Sequence, residues 1–140
     1  MNKVALILVL FLLFSCRGKK IKSGHWPENR ISFGNMGGFT GAHQRFEIFE
    51  NGQVFFISGT DTAEQRRLKK KEIKEIFASV SKLNDMKVVE NKVGNMTNYI
   101  VYKKDSVQTE WKWPASGLKS VPESISHVNQ LLIKAVQSKK

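Results

Sequence analysis

The chain has 140 residues, enough for one domain with a real core and too few for two. Its 23 Lys and Arg against 12 Asp and Glu give a formal net charge of +11. That excess speaks to anionic partners rather than to fold, and the single cysteine has no disulfide partner within the chain.

In chain order the first element is an apolar run, Val4 to Phe14, preceded by the cation Lys3 and followed by Ser15 and Cys16. A transmembrane helix needs about 20 apolar residues, so this run is too short to span and reads as the core of a signal peptide. Leu13-Phe14-Ser15-Cys16 has the features of a lipobox. A leucine stands three residues before the cysteine, a small residue stands next to the cut, and the thiol is the nucleophile that takes a diacylglyceryl group. Residues 1–15 are therefore expected to be a lipoprotein signal peptide, with Cys16 as the lipidation site. Acylation consumes the thiol, which removes thiol catalysis and cysteine-ligated metal together. One acyl chain holds a protein marginally, whereas the two or more on a lipoprotein cysteine make a stable anchor.

Cleavage would leave 22 basic and 12 acidic residues, because it removes Lys3 and no acid. Residues 16–29 read as a lipidated basic tether, with Arg17, Lys19, Lys20 and Lys22 among Gly18, Gly24 and Pro27 and no periodicity. Cations beside an anchor attract anionic head groups. A second basic run is Arg66-Arg67-Leu68-Lys69-Lys70-Lys71.

From residue 30 to 140 the pattern predicts a single domain. Ile31 and Phe33 alternate with polar neighbours, and Phe46 and Ile48 lead to Asn51-Gly52 and a return strand, Val54 to Ser58. Asn-Gly between two such runs predicts a hairpin with a type I′ turn. Ile73, Ile76, Phe77, Val80 and Leu83 then share one face of a helix ending near Asn84-Asp85. Met86 to Val89 suggests a short edge strand. Thr97 to Lys103 and Val107 to Trp113 flank a turn at Lys104-Asp105-Ser106, and Pro114 stops the second strand. Pro122 opens a second helix with Ile125, Val128, Leu131, Leu132 and Val136 as its stripe. The expected fold is α+β: an antiparallel meander sheet of four to six strands with two amphipathic helices on one face, in the order ββ(β)-α-(β)ββ-α.

Phe39-Thr40-Gly41, Phe46 to Phe55, Lys82-Leu83-Asn84, Gly94-Asn95 and Trp111-Lys112-Trp113 together resemble a group of small uncharacterised lipoproteins from Bacteroidota, as does the relaxed lipobox. The resemblance covers most of the chain after Cys16 and rests on turn and core signals, so it brings no catalytic residue across. It does imply an address. Surface-exposed lipoproteins of Bacteroidota usually carry an acidic signal just after the cysteine, whereas Arg17-Gly18-Lys19-Lys20 is basic, so the resemblance implies a protein of the cell envelope facing the periplasm.

Chemistry-bearing patterns are sparse. Gly34-x-x-Gly37-Gly38-x-x-Gly41 invites a phosphate-cradle reading but lacks the Gly-Lys-Ser/Thr of a P-loop and a following helix. It reads better as a wide loop or bulge between the first two strands, and Gly37, Gly38, Phe39 and Gly41 become a candidate recognition loop. His25, His43 and His127 lack metal-ligand spacing, no Gly-x-Ser-x-Gly occurs, and neither cofactor nor catalytic residue is assigned. Trp111 and Trp113 share a strand face and read as core before they read as a stacking platform for sugars or bases. Asp61-Thr62-Ala63 and Asp105-Ser106-Val107 resemble the Bacteroidota O-glycosylation acceptor, with Thr62 and Ser106 as the acceptors in expected turns. These features predict a lipid-anchored binding module for an anionic lipid or envelope protein, with the membrane as its first partner. An exported address argues against nucleic acid. The alternative is a small envelope hydrolase acting on glycan or peptide.

Overall fold

The computed structural model of the protein describes residues 19–39, 41–87, 90–117 and 121–137. In these, β1 (Arg30–Gly37), β2 (Ala42–Phe49), β3 (Gln53–Ser58) and β4 (Asp61–Arg67) run as an antiparallel meander. Helix α1 (Lys70–Asp85) crosses back over the sheet, so the hairpin of β5 (Met96–Lys104) and β6 (Val107–Pro114) joins on the far side of β1. Helix α2 (Glu123–Gln137) follows, and the spatial strand order is β4-β3-β2-β1-β5-β6. This is the expected α+β architecture.

Strand alternation sends Ile31 and Phe33 of β1, Ile48 of β2, Val54 of β3, Ile100 of β5 and Trp111 of β6 to one side. There they meet Ile76, Val80 and Leu83 of α1 and Ile125, Val128 and Leu132 of α2. Trp111 and Trp113 are fully buried in this layer, which makes them core and ends the stacking-platform reading. Polar bonds fix the helix ends. Glu72 accepts the Lys69 N–H at 2.7 Å at the start of α1, and Thr109 of β6 donates to Asn84 at its end, at 2.6 Å. Pro122 opens α2, its carbonyl accepting from the N–H groups of Ile125 and Ser126. Arg66 of β4 reaches the last turn of α2 at Ala135 O (2.7 Å) and pairs with Glu72 of α1 (3.1 Å).

Four local expectations change. First, β1 does not stop at Gly34; it continues to Gly37 and leaves a short hairpin tip rather than a wide loop. Second, the Asn51-Gly52 turn spans three residues, Glu50 to Gly52, with Gly52 alone at positive φ. Asn51 keeps an ordinary φ because its side chain works instead: Oδ1 accepts the Gln53 N–H at 2.9 Å. The two-residue left-handed turn is at Asp105-Ser106, with φ of 50° and 67°. Third, Asp61–Arg67 is a strand, so Thr62 is half-buried in β4 and does not sit in a turn, whereas Ser106 does. Fourth, Met86 and Lys87 form the turn that closes α1, and residues 88–89 of the expected edge strand lie outside the described residues. The pairing with β6 comes just after them, where Lys112 donates to Glu90 O and accepts from Lys92 N–H.

Candidate functional site

Both helices cover one side of the sheet. The other side carries Arg30, Ser32 and Met36 from β1, His43, Arg45 and Glu47 from β2, Tyr99, Val101 and Lys103 from β5, and Glu110 and Lys112 from β6. With Trp26 these side chains line a shallow basin of about 340 Å³. Its middle strand is β1, whose neighbours β2 and β5 supply the side chains that flank it.

Glu47 is the organising group. Its carboxylate is only 3% exposed, and both oxygens are engaged. Oε2 accepts from Ser32 Oγ at 2.6 Å and lies 3.5 Å from Arg30 Nε, while Oε1 lies 3.4 Å from Arg45 Nε. Neither Nε makes a hydrogen bond, so the ion pair is what each has. Burial pushes the Glu47 carboxyl above its ordinary value, against the opposing pull of Ser32, Arg45, Arg30 and Lys103. Beside this cluster Tyr99 shares a 2.8 Å hydrogen bond with His43 Nε2, and burial drives its hydroxyl up to about 12. Guanidinium and ammonium groups outnumber carboxylates here, so the floor is positive around a neutralised centre.

The direction of the Glu47 shift gives a signed prediction. A raised carboxyl holds its proton more tightly folded than unfolded, so its contribution to stability is fully present below its ordinary value of 4.5 and is lost as pH rises through the higher folded value. Glu47→Gln removes this dependence. The stability of the variant relative to the native protein should therefore increase from pH 4.5 toward neutrality in denaturant titrations. The opposite slope would mean that the arginines outweigh burial.

The segment before β1 closes one flank of the basin. Trp26 stacks on Phe49 at 5.3 Å and meets Phe55 edge-on at 5.0 Å, and Gln53 bonds the backbone of Ile21 twice. Asn29 and Glu28 hold the left-handed turn, accepting from Asp105 N–H and Ser106 Oγ. Over its described part, 19–29, the expected tether thus lies against the sheet. A lone tryptophan between Gly24 and Pro27 was the available sequence signal.

The candidate recognition loop is at the β1–β2 tip. Phe39 is fully exposed there, and Gly37, Gly38 and Gly41 have positive φ. The glycines serve the turn rather than a phosphate. Gly38 N–H donates to Asn95 O at 2.7 Å, Gly41 N–H donates to Gly38 O at 3.1 Å, and a Cβ on Gly37 would fall 2.4 Å from Asn95 O. The tip lies beside the Met36 and His43 end of the basin. Cys16 lies outside the described residues.

No protein-family model matches the chain, and no curated protein matches its sequence.

Proposed function

We propose that the protein is a lipid-anchored binding module of the cell envelope, held at the periplasmic membrane face through Cys16, whose uncovered sheet face receives an anionic partner. The observation that carries the reading is the basin, wide and shallow, where Arg30, Arg45 and Lys103 surround a carboxylate already satisfied by its own neighbours, and Lys112 pairs with Glu110 at its edge. Such a floor offers positive charge and area, and its central carboxylate is engaged on both oxygens. Phe39 at the rim adds an apolar contact of the kind that anchors an interface.

The test is capture from detergent-solubilised envelope by the native protein and its variants. Arg45→Glu should weaken capture about tenfold at low salt, since like charges across an interface are strongly unfavourable. Phe39→Ala should weaken it while leaving the melting temperature nearly unchanged. Equal capture by all three proteins sinks the basin as the recognition surface.

A second reading, a small envelope hydrolase acting on glycan or peptide, has one observation in its favour: two groups with raised proton affinity, Glu47 and Tyr99, share a polar hollow. Against it, Glu47 has no free edge to turn toward a substrate.

The anchor has its own test. Cys16→Ser should abolish membrane retention after a high-salt wash while leaving the fold intact, because the core lies wholly within residues 31–135. Salt is needed because basic residues alone hold protein to anionic lipid until they are screened. Thr62 and Ser106 belong to the same proposal as O-glycan acceptors, and Ser106, exposed at a hairpin turn, is the more accessible.

A further inference from the structure

Two basic runs that are distant in sequence meet at the β2–β3 turn. On one side, Asn51 Nδ2 donates to Lys19 O at 3.0 Å, and Gln53 exchanges hydrogen bonds of 2.7 and 3.3 Å with the backbone of Ile21. On the other side, Leu68 N–H donates to Gly52 O at 2.8 Å, and Gln53 stands opposite Arg67 across β3 and β4. The fit is close, since a Cβ on Gly52 would fall 2.7 Å from Leu68 O and 2.9 Å from Ile73 Cδ1. Lys19, Lys20 and Lys22 from one run are exposed, as are Arg67 and Lys69 to Lys71 from the other. Of the acids nearby, Glu50 is exposed in the turn, Glu75 is exposed one helical turn after Lys71, and Glu72 is committed to Arg66 and to the Lys69 N–H. Positive charge dominates this corner.

We infer that this corner is a membrane seat, resting its two lysine groups on anionic phospholipid headgroups and standing the domain on end. The inference rests on the anchor proposed at Cys16. Lys19 follows Cys16 by three residues, a length of chain that spans at most about 11 Å. The acyl chains therefore bring this corner to the headgroups before any acidic protein can reach it. Exposed lysines on flexible stems also suit a fluid array of phosphates better than a partner of fixed geometry. β1 and β2 run from this end toward the hairpin tip, so a seated domain carries Phe39 roughly 25 Å away along the strands.

The experiment places the mature lipidated protein in vesicles of phosphatidylcholine alone or mixed with phosphatidylglycerol. A water-soluble amine reagent then reads each lysine by peptide mass spectrometry. On the anionic vesicles, labelling at Lys19, Lys20 and Lys69 to Lys71 should fall about fivefold, the factor one well-seated cation is worth at such a surface. High salt should restore it. Lys92, beside the opposite edge strand, should label alike on both vesicles. Lys69→Gln with Lys70→Gln and Lys71→Gln, changes to exposed side chains that leave the core untouched, should also reduce protection at Lys19 and Lys20.

Equal labelling of Lys69 to Lys71 on the two vesicle types overturns the seat, even if Lys19 and Lys20 are protected. Intact mass reads acylation at Cys16 separately. A chain without the acyl mass that still shows the protection keeps the seat and removes the anchor.

Discussion

Trp111→Ala should lower stability by roughly 3–5 kcal/mol, the range for emptying a large aromatic site in a packed core. Total stabilities of small domains are about 5–15 kcal/mol, so much of the protein would be left near its unfolding threshold. Trp111 is fully buried, pairs across the sheet with Ile100, and lies in the layer that both helices cover. β6 is an outer strand, and among the described residues it is flanked beyond Trp111 only by the short Glu90–Lys92 contact with Lys112. Ile76→Ala and Leu132→Ala, one from each helix, should cost about 2–5 kcal/mol each by the same argument. Lys70→Ala should cost little, its side chain being in water. Denaturant midpoints check the series. A Trp111→Ala loss no greater than that of Lys70→Ala would show that the helices do not need this sheet edge.

The second large effect is expected at Gly34. Here the reason is proximity rather than lost volume. Gly34 lies in the middle of β1, between Arg45 of β2 and Tyr99 of β5. A Cβ at this position would fall 2.0 Å from Gln44 O and 2.8 Å from Arg45 Cα. Both obstacles are backbone, so no rotamer change relieves the contact and β2 must move. Gly34→Ala should therefore cost about 3 kcal/mol, at the upper end for overpacking. The damage should also reach the basin, because the strands forced apart carry Arg45 and Tyr99. Amide exchange should show faster opening of β1 and β2 while α1 and α2 are less affected. Unchanged stability with native exchange along β1 would contradict the close approach.

The sequence was most readable where burial is one-sided. The stripe Ile73, Ile76, Val80 and Leu83 on α1, and the alternation through Thr109, Trp111 and Trp113 on β6, each face a single apolar layer, so hydrophobic periodicity and structure agree. β4 was not readable, because Asp61–Arg67 has one apolar residue, Ala63, and pairs with β3 alone at an outer position of the sheet. The extent of β1 was hidden for a different reason. Gly34 and Gly37 resemble loop residues until β2 and Asn95 are placed against them. The basin is legible only from tertiary pairing. Arg30, Ser32, Arg45 and Glu47 look like ordinary solvated positions of half-buried strands. It is the register of β1 with β2, Ser32 opposite Glu47, that turns them into one buried cluster. The basic corner likewise needs the β2–β3 turn to bring together runs that the sequence keeps apart.

The sheet's two outer strands bear on behaviour in a crowd. Confinement of copies to one leaflet, the setting proposed here, raises their effective concentration far above that in solution. Bare strand edges are hazardous under those conditions, because each is a template for the next copy. β4 meets this hazard with charge, carrying Asp61, Glu64, Arg66 and Arg67 in seven residues, and with a register break opposite Val54 and Phe55. β6 meets it by cover, its Lys112 amide and carbonyl already taken by Glu90 and Lys92. The charge and register break on β4 and the cover at the Lys112 end of β6 each shorten the run that a neighbour could extend, so in the membrane setting proposed here crowded copies have less edge through which to link into fibres.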